Sequence, residues 1–227
     1  MAGRSRVRQD LTSAAVRLFL AKGYEETTVD EIAEAAGVVR RTFFRYFRTK
    51  EDVVFPDHDE CLRRVERLLA EADPTEPPLV VLGAAAQLVL AMYADDPPAA
   101  VRRYQLTRQV TVLREREITA TSRYQRVFTA YLHRRSGGRA QARLADEVSA
   151  AAVVAAHNHV LREWLRGGGK GDVRVALAEA LGSVAAALNP WVAGGHTEPD
   201  DQVVVVMMPR GTPLWRVVQE VEAATAG

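Results

Sequence analysis

The chain has 227 residues, 48% of them hydrophobic and 26% charged, ordinary values for a soluble globular protein with a sizeable core and one large or two small domains. Its single cysteine, Cys61, excludes an intrachain disulfide and fits a reducing cytoplasm. The first residues lack the apolar stretch of a signal peptide, and no run of eighteen apolar residues occurs, so neither a leader nor a membrane span is expected. The net charge of +1 is unevenly spread: residues 1–50 carry about +4 and the remainder about −3. A basic head on a mildly acidic body suits a protein that turns one face to phosphates, although charge alone does not separate that from chance.

The apolar spacing predicts a first helix over about Arg8–Lys22, with Leu11, Ala15, Leu18 and Phe19 on one face. Gly23 supplies a left-handed stop, and Tyr24 falls where it packs back on Phe19. Thr28 and Glu31 have the spacing of a capping box for a second helix, in which Val29, Ile32, Ala33 and Ala36 form one stripe. Gly37 ends that helix, and a short third one follows over about Val39–Phe44. Two short helices across a glycine turn, the second bearing arginines and aromatics, make a helix-turn-helix: one helix braces and the other enters the major groove.

A fourth helix is expected from near Lys50 to about Ala70. Cys61 lies in it beside Arg63 and Arg64, as an ordinary helix residue. The proline-rich break Asp73–Pro78 opens the body, which reads as helices over about 79–94, to Val110, 113–135, 141–166 and 172–188. Asp95–Pro98, Ser136–Gly138, Gly167–Gly169 and Asn189–Pro190 punctuate them. The last two helices are rich in small residues, which suits either a flat dimer surface or close packing within one subunit. Beyond them, Val203–Met208 reads as a short β-strand, and Thr212–Pro213 opens a terminal helix. The expected fold is therefore all-α, with a head at 1–52, a helical body at 53–192 and an extension at 193–227.

Thr28-Val-Asp-Glu-Ile-Ala, Ala36-Gly37-Val38, Thr42-Phe-Phe-Arg-Tyr-Phe47 and Lys50-Glu51 resemble the DNA-binding head of the TetR family of bacterial transcriptional regulators. The resemblance covers roughly residues 8–55, and the remainder has the length and break pattern of that family's ligand-binding, dimerising body. It implies a homodimeric regulator on double-stranded DNA with a pseudo-palindromic operator, most simply a repressor released by a small molecule. An activator, or a regulator controlled by a protein partner, belongs to the same class. A helical-bundle enzyme would need a polar catalytic cluster, which the sequence does not offer, and an assembly protein would use the apolar extension.

Arg40 and Arg41 open the recognition helix within reach of base edges or phosphates, and Arg45 shares their face. The resemblance gives Thr42 a base or methyl contact and Tyr46 a phosphate contact. It makes Lys50, with the start of helix four, a phosphate clamp. Thr27 and Thr28 are further phosphate candidates, although capping explains Thr28 equally well. Phe43 and Phe47 are expected to pack inward. Two positions depart from the family pattern. Val39 replaces a capping Ser or Thr, and Phe44 stands where a phosphate-binding tyrosine is common.

A regulator of this type needs an apolar cavity with a few polar handles. Tyr93, Tyr104, Tyr124, Phe128, His157 and Trp164 are the lining candidates, with core packing as the alternative for each. Asp57–Glu60 and the Arg/Glu positions at 114–117 read as solvated surface. His157 and His159 are two residues apart and point to different helix faces, whereas a zinc pair needs i and i+4, so no metal and no cofactor is expected. The stretch Arg103-Tyr104…Arg108…Leu113-Arg114 with Trp164 resembles a subgroup whose effectors include bulky amphipathic molecules such as acyl-CoA.

Overall fold

A computed structural model describes residues 2–192, and among these the chain is helical, with no strand. The Val203–Met208 strand and the terminal helix lie outside the described residues. The head comprises α1 (Ala2–Lys22), α2 (Val29–Ala35) and α3 (Arg40–Tyr46), followed by a 3-10 turn at Glu51–Val54. The body comprises α4 (His58–Glu71), α5 (Pro78–Ala94), α6 (Pro97–Gln109), α7 (Thr111–Arg135), α8 (Arg143–Arg166) and α9 (Val173–Val192).

Two elements differ from the sequence reading for reasons of proline chemistry. The expected helix from Lys50 is broken. Its first part is the 3-10 turn, Phe55 is extended at φ −89 and ψ 150, and α4 begins only at His58. Pro56 has no N–H to give, and its ring forces the preceding residue out of helical space. Conversely, α9 runs through Pro190, two residues from its end, so the bond denied to Ala186 O and any bend affect only the last turn. Asp172 caps α9 as expected, its Oδ1 accepting from the N–H groups of Arg174 and Val175.

Two cores form. In the head, Leu11, Phe19, Ile32, Phe43 and Phe47 pack with Val53 and Val54, and Leu106 and Leu113 from the α6–α7 corner close the cluster. Val53 and Val54, which the sequence placed just past the head, thus complete its core. In the body, Leu82 and Leu90 of α5, Phe128 and Leu132 of α7, Val153 and Leu161 of α8 and Leu177 of α9 fill the centre. α9 has the length and mean hydropathy (1.3) of a membrane span, yet it carries Arg174 and Glu179 and packs against α5 and α8. Only 11% of its apolar window is buried, so it presents a long apolar face outward.

The α8–α9 loop docks on α6 through Gly169. Its φ is +72, and a Cβ there would come within 3.2 Å of Pro97 Cβ and Val101 Cγ2. Gly168 is also left-handed, at φ +76, but has open space. Alanine at either position pays about 1–2 kcal/mol for the backbone alone. Gly169→Ala is therefore expected to lower the urea midpoint more than Gly168→Ala, at an unchanged m-value. Equal midpoints would remove the docking role.

Candidate nucleic-acid interface and internal cavity

Helix α2 starts with a complete capping box. Thr28 N–H and its hydroxyl donate to Glu31 Oε2 (2.8 and 2.9 Å), and Glu31 N–H returns a bond to Thr28 Oγ1. Lys22 also pairs with Glu31. The Lys22 ammonium and the Thr28 backbone N–H together hold the Glu31 carboxyl down to about 2. The turn that follows needs Gly37 at φ +68, and there Val38 N–H reaches back to Ala33 O at 2.9 Å. Helix α3 then emerges with Phe43 wholly buried and Phe47 nearly so, the inward packing expected of them. Its outer side carries Arg41, Phe44 and Arg45, with Thr42 and Tyr46 half-buried beside them.

The expected contact residues are not equally available. Among the described residues, no carboxylate pairs with Arg41 or Arg45, whose guanidinium lies over the Tyr46 ring. Arg40 donates to Asp30 Oδ2 at 2.9 Å and stacks over Phe44, but both charges of that pair are exposed, so it constrains Arg40 little. Phe44 is 45% exposed and offers only an apolar edge. Thr27 is a correction. It is buried, and its hydroxyl donates to Gly23 O at 2.8 Å, so its side chain does not face a phosphate. Thr28 is exposed, with its hydroxyl engaged in the capping box. Lys50 is placed differently from the expectation. It sits at the 3-10 turn rather than at the start of α4, and its ammonium donates to Tyr24 O (2.9 Å) and Thr27 O (3.2 Å) above the Tyr24 ring. Tyr24 in turn hydrogen-bonds Glu51. Lys50 therefore ties the base of the head together and keeps one proton for an outside partner. Arg8, which the sequence reading passed over, spans from α1 to Tyr46 O, the Phe47 ring and Asp57.

In the body, His58, Val89, Tyr93, Glu117, Tyr124, Phe128 and His157 line a cavity of about 40 Å³, the space open to the centre of a water molecule. Four of the six expected lining residues meet there: Tyr93, Tyr124, Phe128 and His157. Tyr104 and Trp164 do not. The Tyr104 hydroxyl accepts from Arg166 at the surface, and Trp164 is buried beside the Gly169 loop. The enclosed space fits a small fragment and, as shaped, not a bulky amphipath. His58 and Glu117 were missed because each lies in a charged run that reads as solvated surface. Tertiary placement at the start of α4 and on α7 brings His58 to the wall and the exposed Glu117 to the mouth, and no periodicity in the sequence marks this.

Tyr124 joins the cavity to α4, with its hydroxyl 3.0 Å from His58 Nδ1. Burial, aided by nearby Arg123, lowers the His58 imidazole to about 4, so it is neutral at pH 7. Burial likewise raises the Tyr93 and Tyr124 phenols and lowers His157. The His157 Nδ1–H donates to Asn158 Oδ1 at 3.2 Å, leaving Nε2 a buried lone pair without a partner among the described residues. Burial also pushes the Cys61 thiol up, as befits an inert core residue.

Two outcomes follow. Val39 is the α3 N-cap, with extended geometry and no side-chain bond to the helix. Val39→Ser is expected to add about 1 kcal/mol to unfolding, read from the urea midpoint. His58 binds its proton more weakly folded than unfolded, so its contribution is whole above pH 6.5 and is lost as pH falls towards about 4. The slope integrates to at most about 3 kcal/mol. Over that window the wild type should lose more stability than His58→Gln, and parallel curves would contradict the buried neutral imidazole.

Residues 11–55 match the model of the bacterial regulatory proteins of the tetR family, and residues 76–189 match the MftR C-terminal domain. The putative mycofactocin biosynthesis transcriptional regulator MftR of Mycobacterium tuberculosis is 29% identical over 79% of this chain and 88% of its own. Among solved structures, the fatty acid degradation regulator FadR from Bacillus halodurans aligns with a TM-score of 0.58 at 20% identity, over 78% of this chain and 93% of its own. A SmeT–triclosan complex aligns with a TM-score of 0.58 at 20% identity, over 91% and 99%. The chain is a DNA-binding transcriptional regulator, not an enzyme, and belongs to the tetR family of bacterial regulatory proteins.

Proposed function

We propose that this regulator is a cytoplasmic homodimeric repressor that a small effector releases from a pseudo-palindromic operator. The observation that carries it is the outer face of α3, where Arg41, Thr42 and Arg45 stand clear of every carboxylate among the described residues while Phe43 and Phe47 fix the helix from beneath. Arg41 reads a base edge, and Arg40, Arg45, Tyr46 and the remaining Lys50 proton meet phosphates. Two heads then need half-sites one helical turn apart or a multiple of it. The outward apolar face of α9 supports the dimer, with Val175 of α9 and Leu144 and Val148 of α8 exposed on the same helix pair.

The effector occupies the cavity behind Tyr124. Triclosan bound to SmeT is a precedent for a small molecule on this fold. An effector releases DNA only by binding the non-DNA conformation better, and DNA must then weaken effector binding by the same factor. The likeness to MftR makes promoters of mycofactocin biosynthesis genes, with the region upstream of this chain's own gene, the first operators to try.

Fluorescence anisotropy on these duplexes, against random DNA of equal length at several salt concentrations, tests the reading. Tight, selective binding of two subunits is expected. Arg41→Ala should cost about 1–3 kcal/mol on the operator and little on random DNA. Equal losses on both would remove Arg41 as the base reader, and no selectivity in the wild type would remove the operator reading.

A further inference from the structure

The cavity residues differ in what they offer a ligand. Among the described residues, no lysine or arginine lines it. His58 and His157 are held neutral by burial, which leaves Glu117 as the one formal charge in the lining. Glu117 stands at the mouth, part of its side chain open to solvent, and among the described residues it has no hydrogen bond or ion pair. Burial pushes its carboxyl upward, and Arg162 offsets this without reaching it. Deeper in, His157 lines the same space at 7% exposure, and its Nε2 is buried without a hydrogen-bond partner among the described residues. Both committed polar groups are thus acceptors, whereas Thr121 and Asn158 can each serve either way. Between them lie the faces of Tyr93, Tyr124 and Phe128, whose π-systems favour a positive charge.

We propose that the cavity takes a small organic cation, an amine on an apolar body, with Glu117 as its counter-ion, His157 Nε2 accepting an N–H, and Tyr93, Tyr124 and Phe128 walling the charge and the body. The inference rests on the effector-cavity reading above and adds the chemical class of the ligand. A carboxylate ligand would meet Glu117 as a like charge and His157 as a second acceptor, and would leave both unsatisfied. A neutral alcohol would satisfy His157 alone. The volume limits the occupant to the size of one ring with a short arm unless the walls part.

Three near-isosteric probes separate these cases: benzylamine, benzyl alcohol and benzoate, each titrated into the full chain by calorimetry without DNA. Benzylamine should bind at least about tenfold more tightly than benzoate. Glu117→Gln, a change at the cavity mouth that leaves both cores intact, should bring benzylamine down to the level of the alcohol. His157→Phe should weaken the amine and the alcohol together. Tighter binding of benzoate or of the alcohol overturns the proposal. So does a preference that survives Glu117→Gln, or the failure of all three to bind in the low millimolar range. Operator release, followed by anisotropy with the same compounds, keeps the two readings apart. Amine binding without release retains the cation site and removes the effector role. Release by benzoate retains the effector role and removes the cation site.

Discussion

Pro56 is the constraint on which the arrangement of the chain depends. A continuous helix from Lys50 would make head and body one rod. The proline stops it, leaving Phe55–Asp57 as a short non-helical strap between two well-packed ends. Val53 and Val54 are fully buried in the head core on one side, and Cys61 and Val65 are buried in the body core on the other. What fixes the strap between them is polar: Arg116 on Asp52, Arg8 on Asp57 (3.4 Å), Arg123 on Asp59 (2.6 Å) and the His58–Tyr124 bond. The ion pairs are at least partly exposed, and such pairs are worth at most about 1 kcal/mol each. Apolar packing also joins the two, because Leu106 and Leu113 of the α6–α7 corner are buried in the head core, so a change in the angle of the head must carry that corner with it.

The head is small, and its reading helix does not stand by itself. Seven residues are far below the length at which an isolated helix persists in water. α3 lacks a side-chain cap at Val39, has no acidic residue in its first turn, and begins with two arginines at its positive end. Those arginines are unfavourable for the helix and favourable for DNA, so the recognition function is set against local stability. Tertiary packing offsets it: Phe43 and Phe47 beneath, Gly37 setting the entry angle, and Lys50 clamping the Tyr24–Thr27 loop from the far side.

Much of the head was legible because its signals are local. The Thr28–Glu31 box, the Gly37 turn and the inward Phe43 and Phe47 follow from spacings of a few residues. The settings of Thr27 and Lys50 were not legible, because a side chain's availability depends on what else is near it, and the Gly23 and Tyr24 carbonyls that bond them lie across the loop. Pro56 was in plain view, but the apolar stripe running past it suggested one helix where the chain makes two. In the body, aromatic residues pointed to four of the cavity's walls. His58 and Glu117 stayed hidden because a charged run gives no sign of which member faces inward once six helices have packed.

The cavity and the strap share one residue pair, and this decides how an occupant could act at a distance. Phe128 and His157 belong to α7 and α8 where these pack into the body core, whereas Glu117 lies one turn from Leu113, which is buried in the head core. Tyr124 also lies on α7, but its hydroxyl is bonded to His58 in the first turn of α4, one residue from the strap. An occupant that touched only the buried walls would bind both head orientations equally, and equal binding shifts no equilibrium however tight it is. An occupant that draws the Tyr124 hydroxyl to itself, or occupies the space His58 fills, removes the one strap contact that is sheltered from solvent. The strap is then left with weak ion pairs, and the head with its apolar seat on Leu106 and Leu113. On the effector reading proposed above, the His58–Tyr124 contact is where an occupant would come to favour one orientation over the other.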